Sequence, residues 1–381
     1  MIFSVLIFIF TLLILVLIHE LGHFLVAKKF GIKVMEFGFG IPPRAWGKKV
    51  GETLVSINWL PFGGFVRLLG EDEVGPLAVN RKGPEVSRDF RAKPVSQRIL
   101  VVFAGVLMNL ILAWIIFYIT LASNGFKVQF PLLLDHQFAG TVQENQTAIF
   151  VSGVAKDSPA ESAGVKQGLE IVSVNGQSVT TSQDLVTKIK EFDEQEMSLT
   201  LKDSKGNLNT VKVTPRKNPP AGQGALGVEL SGIMVAKLEY KGTAKIFAGP
   251  IHSWNIVAYS GRILGYLSNQ SLRTKSFGPV SHSVSGPVGV STIVNDILTT
   301  AKNPFLSYLD FMAILSLNLA IFNVLPIPAL DGGRLFFLIF EAVTRKKIHA
   351  NFEKWIHTVG FAILLTLMLL VTFSDIKKLF P

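Results

Sequence analysis

Four long stretches without a charged residue constrain this chain more than any other feature. They run from Met1 to Ile18, Ile99 to Ala122, Phe311 to Leu330 and Trp355 to Ser374. A bilayer core needs about 20 apolar residues for one helical crossing, and each stretch meets or nearly meets that length. With 49% hydrophobic and 17% charged residues among 381, the chain is too apolar for an ordinary soluble enzyme. The expected fold is a multi-span α-helical membrane protein with four transmembrane helices and room for one soluble domain of roughly 100 residues. The first stretch has the position of a signal peptide. It lacks a basic leader and a small-residue cleavage site and runs into His19-Glu20, so it reads as a retained helix.

The basic residues set the orientation. Thirteen Lys and Arg lie between Lys28 and Arg98, and Arg334, Arg345, Lys346, Lys347 and Lys354 lie between the third and fourth stretches. By the positive-inside rule both segments are cytoplasmic, so both termini face outward, as does the stretch from about Asn124 to Asp310. The net charge of +10 belongs to these flanks. It forms no stripe of the kind that binds nucleic acid. Ile246 to Leu267 is nearly apolar enough for a fifth span. Pro250, His252, Asn255 and Arg262 interrupt it, and an amphipathic helix on the outer surface is expected instead. The chain has no cysteine, which excludes disulfides and thiolate metal sites.

The first stretch ends in His19-Glu20-Leu21-Gly22-His23. Residues four apart share a helix face, so the two imidazoles can grip one Zn²⁺, with Glu20 placed to take a proton from its water. Polar residues at membrane depth are costly and functional by default. A catalytic zinc usually has three protein ligands, and none follows closely in sequence. Asp331, in Asn323-Val324-Leu325-Pro326-Ile327-Pro328-Ala329-Leu330-Asp331-Gly332-Gly333, is the best candidate for the third. Orientation puts it on the same side as the histidines, and Pro326 and Pro328 break the helix so that it can turn inward. His357 is a rival ligand.

HExxH in the first span paired with Leu330-Asp331-Gly332 in a later one resembles the site-2 protease family of intramembrane zinc metalloproteases. The likeness is greatest to its bacterial regulator of sigma-E protease group. Phe62-Gly63-Gly64-Phe65-Val66, Ala104-Gly105 with Asn109, Ser285-Gly286-Pro287-Val288-Gly289 and Ser316-Leu317-Asn318-Leu319-Ala320 add to it. The resemblance implies that His19, His23 and Asp331 hold zinc, that Glu20 is the catalytic base, and that Asn323 orients substrate. Asn318, Gly63 and Gly64 are further substrate-binding candidates. The chain departs from the family pattern at Val106, where proline is usual, and in having room for one PDZ domain where many members have two.

Gly31 to Leu69 alternates apolar and polar residues between turn signals, which predicts a small sheet at the inner interface. Non-helical backbone is tolerated at membrane depth only when buried in protein or lining a wet cavity, and a strand edge there can catch an unwound substrate. A hairpin that merely supports the fold is the plainer alternative. On the outer side, Val154 to Ala160, Ala163-Gly164-Val165 and Ile171 to Gly176 resemble a bacterial PDZ domain, with Gly168-Leu169 in place of the usual Gly-Asp. A capping box at Thr181 to Asp184 opens its helix, and strands are expected at 198–201 and 210–213. Such a domain binds an extended peptide or excludes bulky substrate ectodomains by size.

The expected order is a first transmembrane helix over 1–30, a β-loop and linker over 31–94, and a second helix over 95–123. The PDZ domain then covers 124–232 and an outer amphipathic segment 233–305. A third transmembrane helix with the LDGG motif covers 306–345, and the fourth, with the tail, 350–381. The expected activity is zinc-dependent hydrolysis of peptide bonds in transmembrane segments of single-span proteins, such as anti-sigma factors or remnant signal peptides, in a bacterial inner membrane. Two alternatives are a membrane-anchored metalloprotease with a soluble site, drawing its third ligand from Glu52, Glu71 or Glu73, and a non-catalytic PDZ scaffold without zinc.

Overall fold

The computed structural model describes residues 2–71, 85–192, 194–276, 285–346 and 348–379. In chain order the elements are α1 (Ile2–Lys29), β1 (Val34–Val50), β2 (Thr53–Leu68), α2 (Val95–Ser123), β3 (Lys127–Leu132), β4 (Thr141–Val154), β5 (Glu170–Val174), β6 (Gln177–Ser178), α3 (Ser182–Lys190), β7 (Met197–Lys202), β8 (Leu208–Val213) and β9 (Val228–Tyr240). Then come α4 (Ala248–Thr274), α5 (Pro287–Thr300), α6 (Pro304–Val324), α7 (Asp331–Thr344) and α8 (Ala350–Leu379). Among the described residues, four helices are long and apolar enough to cross a membrane, over Phe3–Lys29, Val95–Ser123, Pro304–Val324 and Asn351–Lys377. Helix α4 is not among them.

The chain divides into two compact units. One comprises Met1–Phe117, Phe277–Asn295 and Tyr308–Pro381, the other Tyr118–Ser276 and Asp296–Ser307. In the first, the alternation between Gly31 and Leu69 does form a sheet. The first half of β1 pairs on both sides, with Phe37 opposite Val66 and Val55, and β1 then returns so that Trp46 faces Ile57. The far edge of Gly64–Leu68 has no strand beside it among the described residues. Ile32, Val34, Leu68, Phe90, Val101, Val102 and Leu338 bury against Ala27, tying the sheet to the end of α1, the start of α2 and the middle of α7. Trp46, Ile57, Trp59 and Leu60 remain exposed.

The segment expected as one span over 306–345 is two helices. Pro326 and Pro328 cannot donate to a helical ladder, so α6 stops at Val324 and α7 starts at Asp331. The turn between them passes through Ala329 at φ +74°. At Gly332 any side chain is excluded, because its Cβ would lie 1.9 Å from the Leu325 carbonyl oxygen.

The second unit is built on one sheet in the order β3-β9-β4-β5-β7-β8, with β6 on β5. Its core gathers Ile149, Val151, Ile171, Leu185, Leu199 and Leu201. The expected capping box is present, with Asp184 N–H donating to Thr181 Oγ1 at 3.0 Å and opening α3. Strand β9 continues to Tyr240, past the boundary expected at 232, because it pairs with both β3 and β4 along a long ribbon. Helix α4 docks on that ribbon through His252, Asn255 and Tyr259, all buried. Asn255 pairs with both backbone groups of Ala139, and Tyr240 meets His252 Nδ1 at 2.8 Å.

Candidate metal centre

Helix α1 presents His19 and His23 on one face, and the turn after α6 delivers Asp331 to them. His19 Nε2 lies 2.7 Å from Asp331 Oδ2, His23 Nε2 lies 3.1 Å from the same oxygen, and the two Nε2 atoms are 3.2 Å apart. Ligand atoms on a tetrahedral zinc with bonds of about 2.0 Å sit roughly 3.3 Å apart, so this triangle suits one face of such a site. No other group of three His, Cys, Asp or Glu within ligand reach occurs among the described residues.

The surroundings fix each group. His23 Nδ1–H donates to the Val101 carbonyl at 2.8 Å, which leaves its Nε2 lone pair facing the triangle. Gly105 on α2 gives the rings room, since a Cβ there would lie 2.4 Å from His23 Nε2 and 2.8 Å from His19 Cε1. Asp331 stands in the first turn of α7, where the helix dipole favours a carboxylate. The turn before it is held by Ala329 N–H, which donates to His357 Nδ1 at 2.9 Å. The far end of α7 is held by Glu341, which accepts from Arg98 at 2.7 and 3.0 Å.

A cavity of about 380 Å³ opens beside the triangle, lined by Glu20, His23, Asp331, Arg334 and the edge residues Phe65 to Leu68. Glu20 lies against the sheet, its Cγ 3.5 Å from where a side chain on Gly64 would begin. Of the sequence-derived candidates, His19, Glu20, His23, Asp331 and Gly64 therefore converge. Gly63 adjoins Gly64 at φ +77°. Asn323 is half-buried near the end of α6, Asn318 is exposed higher on that helix, and neither lines the cavity.

The rival ligands go elsewhere. Glu52 pairs with Lys28 and Arg88, which hold its carboxyl down at about 2. Glu71 lines the cavity but is paired with Arg334. Glu73 lies outside the described residues, and His357 serves the turn before Asp331. Sequence reasoning missed the tie between Arg98 and Glu341. The signal was a lone acid inside Leu335 to Val343, an otherwise apolar run.

Comparison with known proteins supplies the family. The model of peptidase family M50 matches residues 7–367. A Clostridium perfringens protein, named as a candidate zinc metalloprotease, is 36% identical over 96% of each chain. The regulator of sigma-W protease RasP of Bacillus subtilis is 31% identical over 96% of each chain, and the zinc metalloprotease RasP of Geobacillus kaustophilus 28% over 96% of each. The donor set (two imidazoles and a carboxylate, with a carboxylate-bearing neighbour in an adjoining cavity) fits the zinc such proteins use. The chain belongs to peptidase family M50, the site-2 group of zinc metalloproteases that cut peptide bonds within membranes.

Proposed function

We propose that His19, His23 and Asp331 hold the zinc, that Glu20 is the catalytic base, and that the substrate is the apolar segment of a single-span membrane protein. The convergence of three ligand atoms from α1 and α7, 2.7 to 3.2 Å apart across 312 residues of sequence, carries this reading. Bound zinc supplies a Lewis acid that lowers the pKa of a water to about 7 and polarises the scissile carbonyl. Glu20, at the cavity wall, takes the proton as water attacks and hands it to the leaving amine.

A helical substrate keeps its carbonyls engaged, so it must unwind before attack. The unpaired edge from Gly64 to Leu68 borders the same cavity and can receive the unwound segment as an added strand. Asn323 and Asn318, neither fully buried, are assigned by the family resemblance to contacts with substrate outside the cavity.

Basic flanks support both termini on the outer side of a bacterial inner membrane and the metal centre toward the cytoplasm. Residues 124–232 are read as a single PDZ domain that takes a substrate ectodomain or peptide, a reading supported by the α3-capped sheet. The sigma-W name of the Bacillus relative supports anti-sigma factors already cut on the outer side, and remnant signal peptides, as the substrate class.

The test is incubation of the detergent-purified chain with a single-span reporter. Zinc-dependent cleavage within the reporter's apolar segment, reduced at least about 100-fold in Glu20→Gln with zinc retained, is expected. Cleavage outside that segment, or an active Glu20→Gln, would overturn the reading.

A further inference from the structure

Both ring nitrogens of a metal-bound histidine normally have work to do, one at the metal and the other donating to an acceptor that sets tautomer and ring angle. His23 has that acceptor in the Val101 carbonyl. His19 does not, since its buried Nδ1 has no hydrogen-bond partner among the described residues. A second buried group in the same unit also lacks one. Asn109 on α2 is 0% exposed, and neither atom of its carboxamide is paired. An unpaired buried polar atom costs about 1–3 kcal/mol, so an apolar side chain would serve packing better at 109.

The two orphans are linked through α2. Gly105 is the α2 residue that abuts the rings, 2.8 Å from His19 Cε1 measured from its would-be Cβ, and Cε1 is the ring carbon between Nδ1 and Nε2. Asn109 is four residues on, one turn along the same helix face. Helical side chains lean back toward their own N-terminus, so the Asn109 carboxamide leans toward Gly105 and the rings. Its backbone is held there, because Ser316 Oγ on α6 donates to the Asn109 carbonyl at 2.8 Å. The cavity is lined by Glu20, His23 and Asp331 but by neither His19 nor Asn109. Asn109 is therefore buried outside the cavity lining.

We propose that Asn109 is the positioning partner of His19. Its carboxamide oxygen receives the His19 Nδ1–H across one bridging water, fixing the tautomer that leaves Nε2 free for zinc. A buried water needs at least two polar partners, and these two groups supply them. This inference rests on His19 being a zinc ligand.

The test uses the detergent-purified full chain and measures zinc affinity by competition with a chromophoric chelator. Asn109→Leu is expected to weaken zinc binding about 10–100-fold, and Asn109→Asp to restore most of it by supplying the same kind of acceptor. Metal-free thermal unfolding of Asn109→Leu should be no lower than the parent's, which separates loss of positioning from loss of fold. Should that variant fold poorly, Asn109→Ala is read the same way. An independent signature is the His19 Nδ1–H proton resonance of the zinc-loaded protein, expected to be exchange-protected in the parent and unprotected in the variant. Parent-like zinc affinity in Asn109→Leu and Asn109→Ala, while His19→Ala loses zinc, would overturn the proposal. Full zinc retention in His19→Ala would instead overturn the ligand assignment beneath it.

Discussion

Arg98 and Glu341 meet through two hydrogen bonds, of 2.7 and 3.0 Å, across 243 residues of sequence. Their side chains are only 8% and 12% exposed. The pair fastens α7, whose first residue is Asp331, to the start of α2, whose Val101 carbonyl holds His23. Two of the proposed ligands, from distant parts of the chain, are thereby referred to one junction.

Removing one partner of a buried ion pair strands the other. Glu341→Ala is expected to cost about 3–5 kcal/mol in thermal unfolding and to lower zinc content with it. The apolar pair Arg98→Met with Glu341→Leu should recover most of the stability. Unchanged stability in the single variant would show the pair to be incidental.

Gly105→Ala places a methyl group 2.4 Å from His23 Nε2 unless α2 or the ring shifts. A displacement of about 1 Å at a reacting centre can cost about 100-fold in rate, and a loss of that order is expected in the reporter assay. Full activity in Gly105→Ala would mean that the rings sit farther from α2 than the structure places them.

Acid should loosen the second unit at α4. Burial holds the His252 imidazole down to about 4, against an ordinary value of 6.5, so the folded unit keeps it neutral while the unfolded chain protonates it. Stability from this group is whole above pH 6.5, falls as pH drops toward 4, and changes no further below that. A depression of this size corresponds to about 3 kcal/mol. Hydrogen exchange of residues 248–260 should accelerate over that interval, and His252→Gln should flatten the response. An unaltered pH response in His252→Gln would assign the loosening to another group.

The site was legible where chemistry is local or tied to the membrane. The spacing of His19 and His23 declares a shared helix face, and Asp331 was singled out by the expected span orientation together with the family resemblance. Alternation between Gly31 and Leu69 marked the sheet, because a half-buried strand has period two. The helix break at Pro326 and Pro328 followed from their missing donors, although the separate helix that starts at Asp331 did not. Contacts between distant polar residues stayed hidden. Arg98 and Glu341 each read as an interfacial charge until the fold pairs them, and His357 read as a possible ligand until its ring proved to hold Ala329. Asn318 and Asn323 were singled out by resemblance, and helical periodicity does not say whether they face the cavity.

The zinc-to-protein ratio of purified Asp331→Ala, beside those of the parent, His19→Ala and His23→Ala, tests the shared metal centre most directly. We expect stoichiometric zinc in the parent and its loss in all three variants, with each chain still folded by thermal unfolding. Stoichiometric zinc in Asp331→Ala, lost from both histidine variants, would contradict the account and place the third ligand elsewhere.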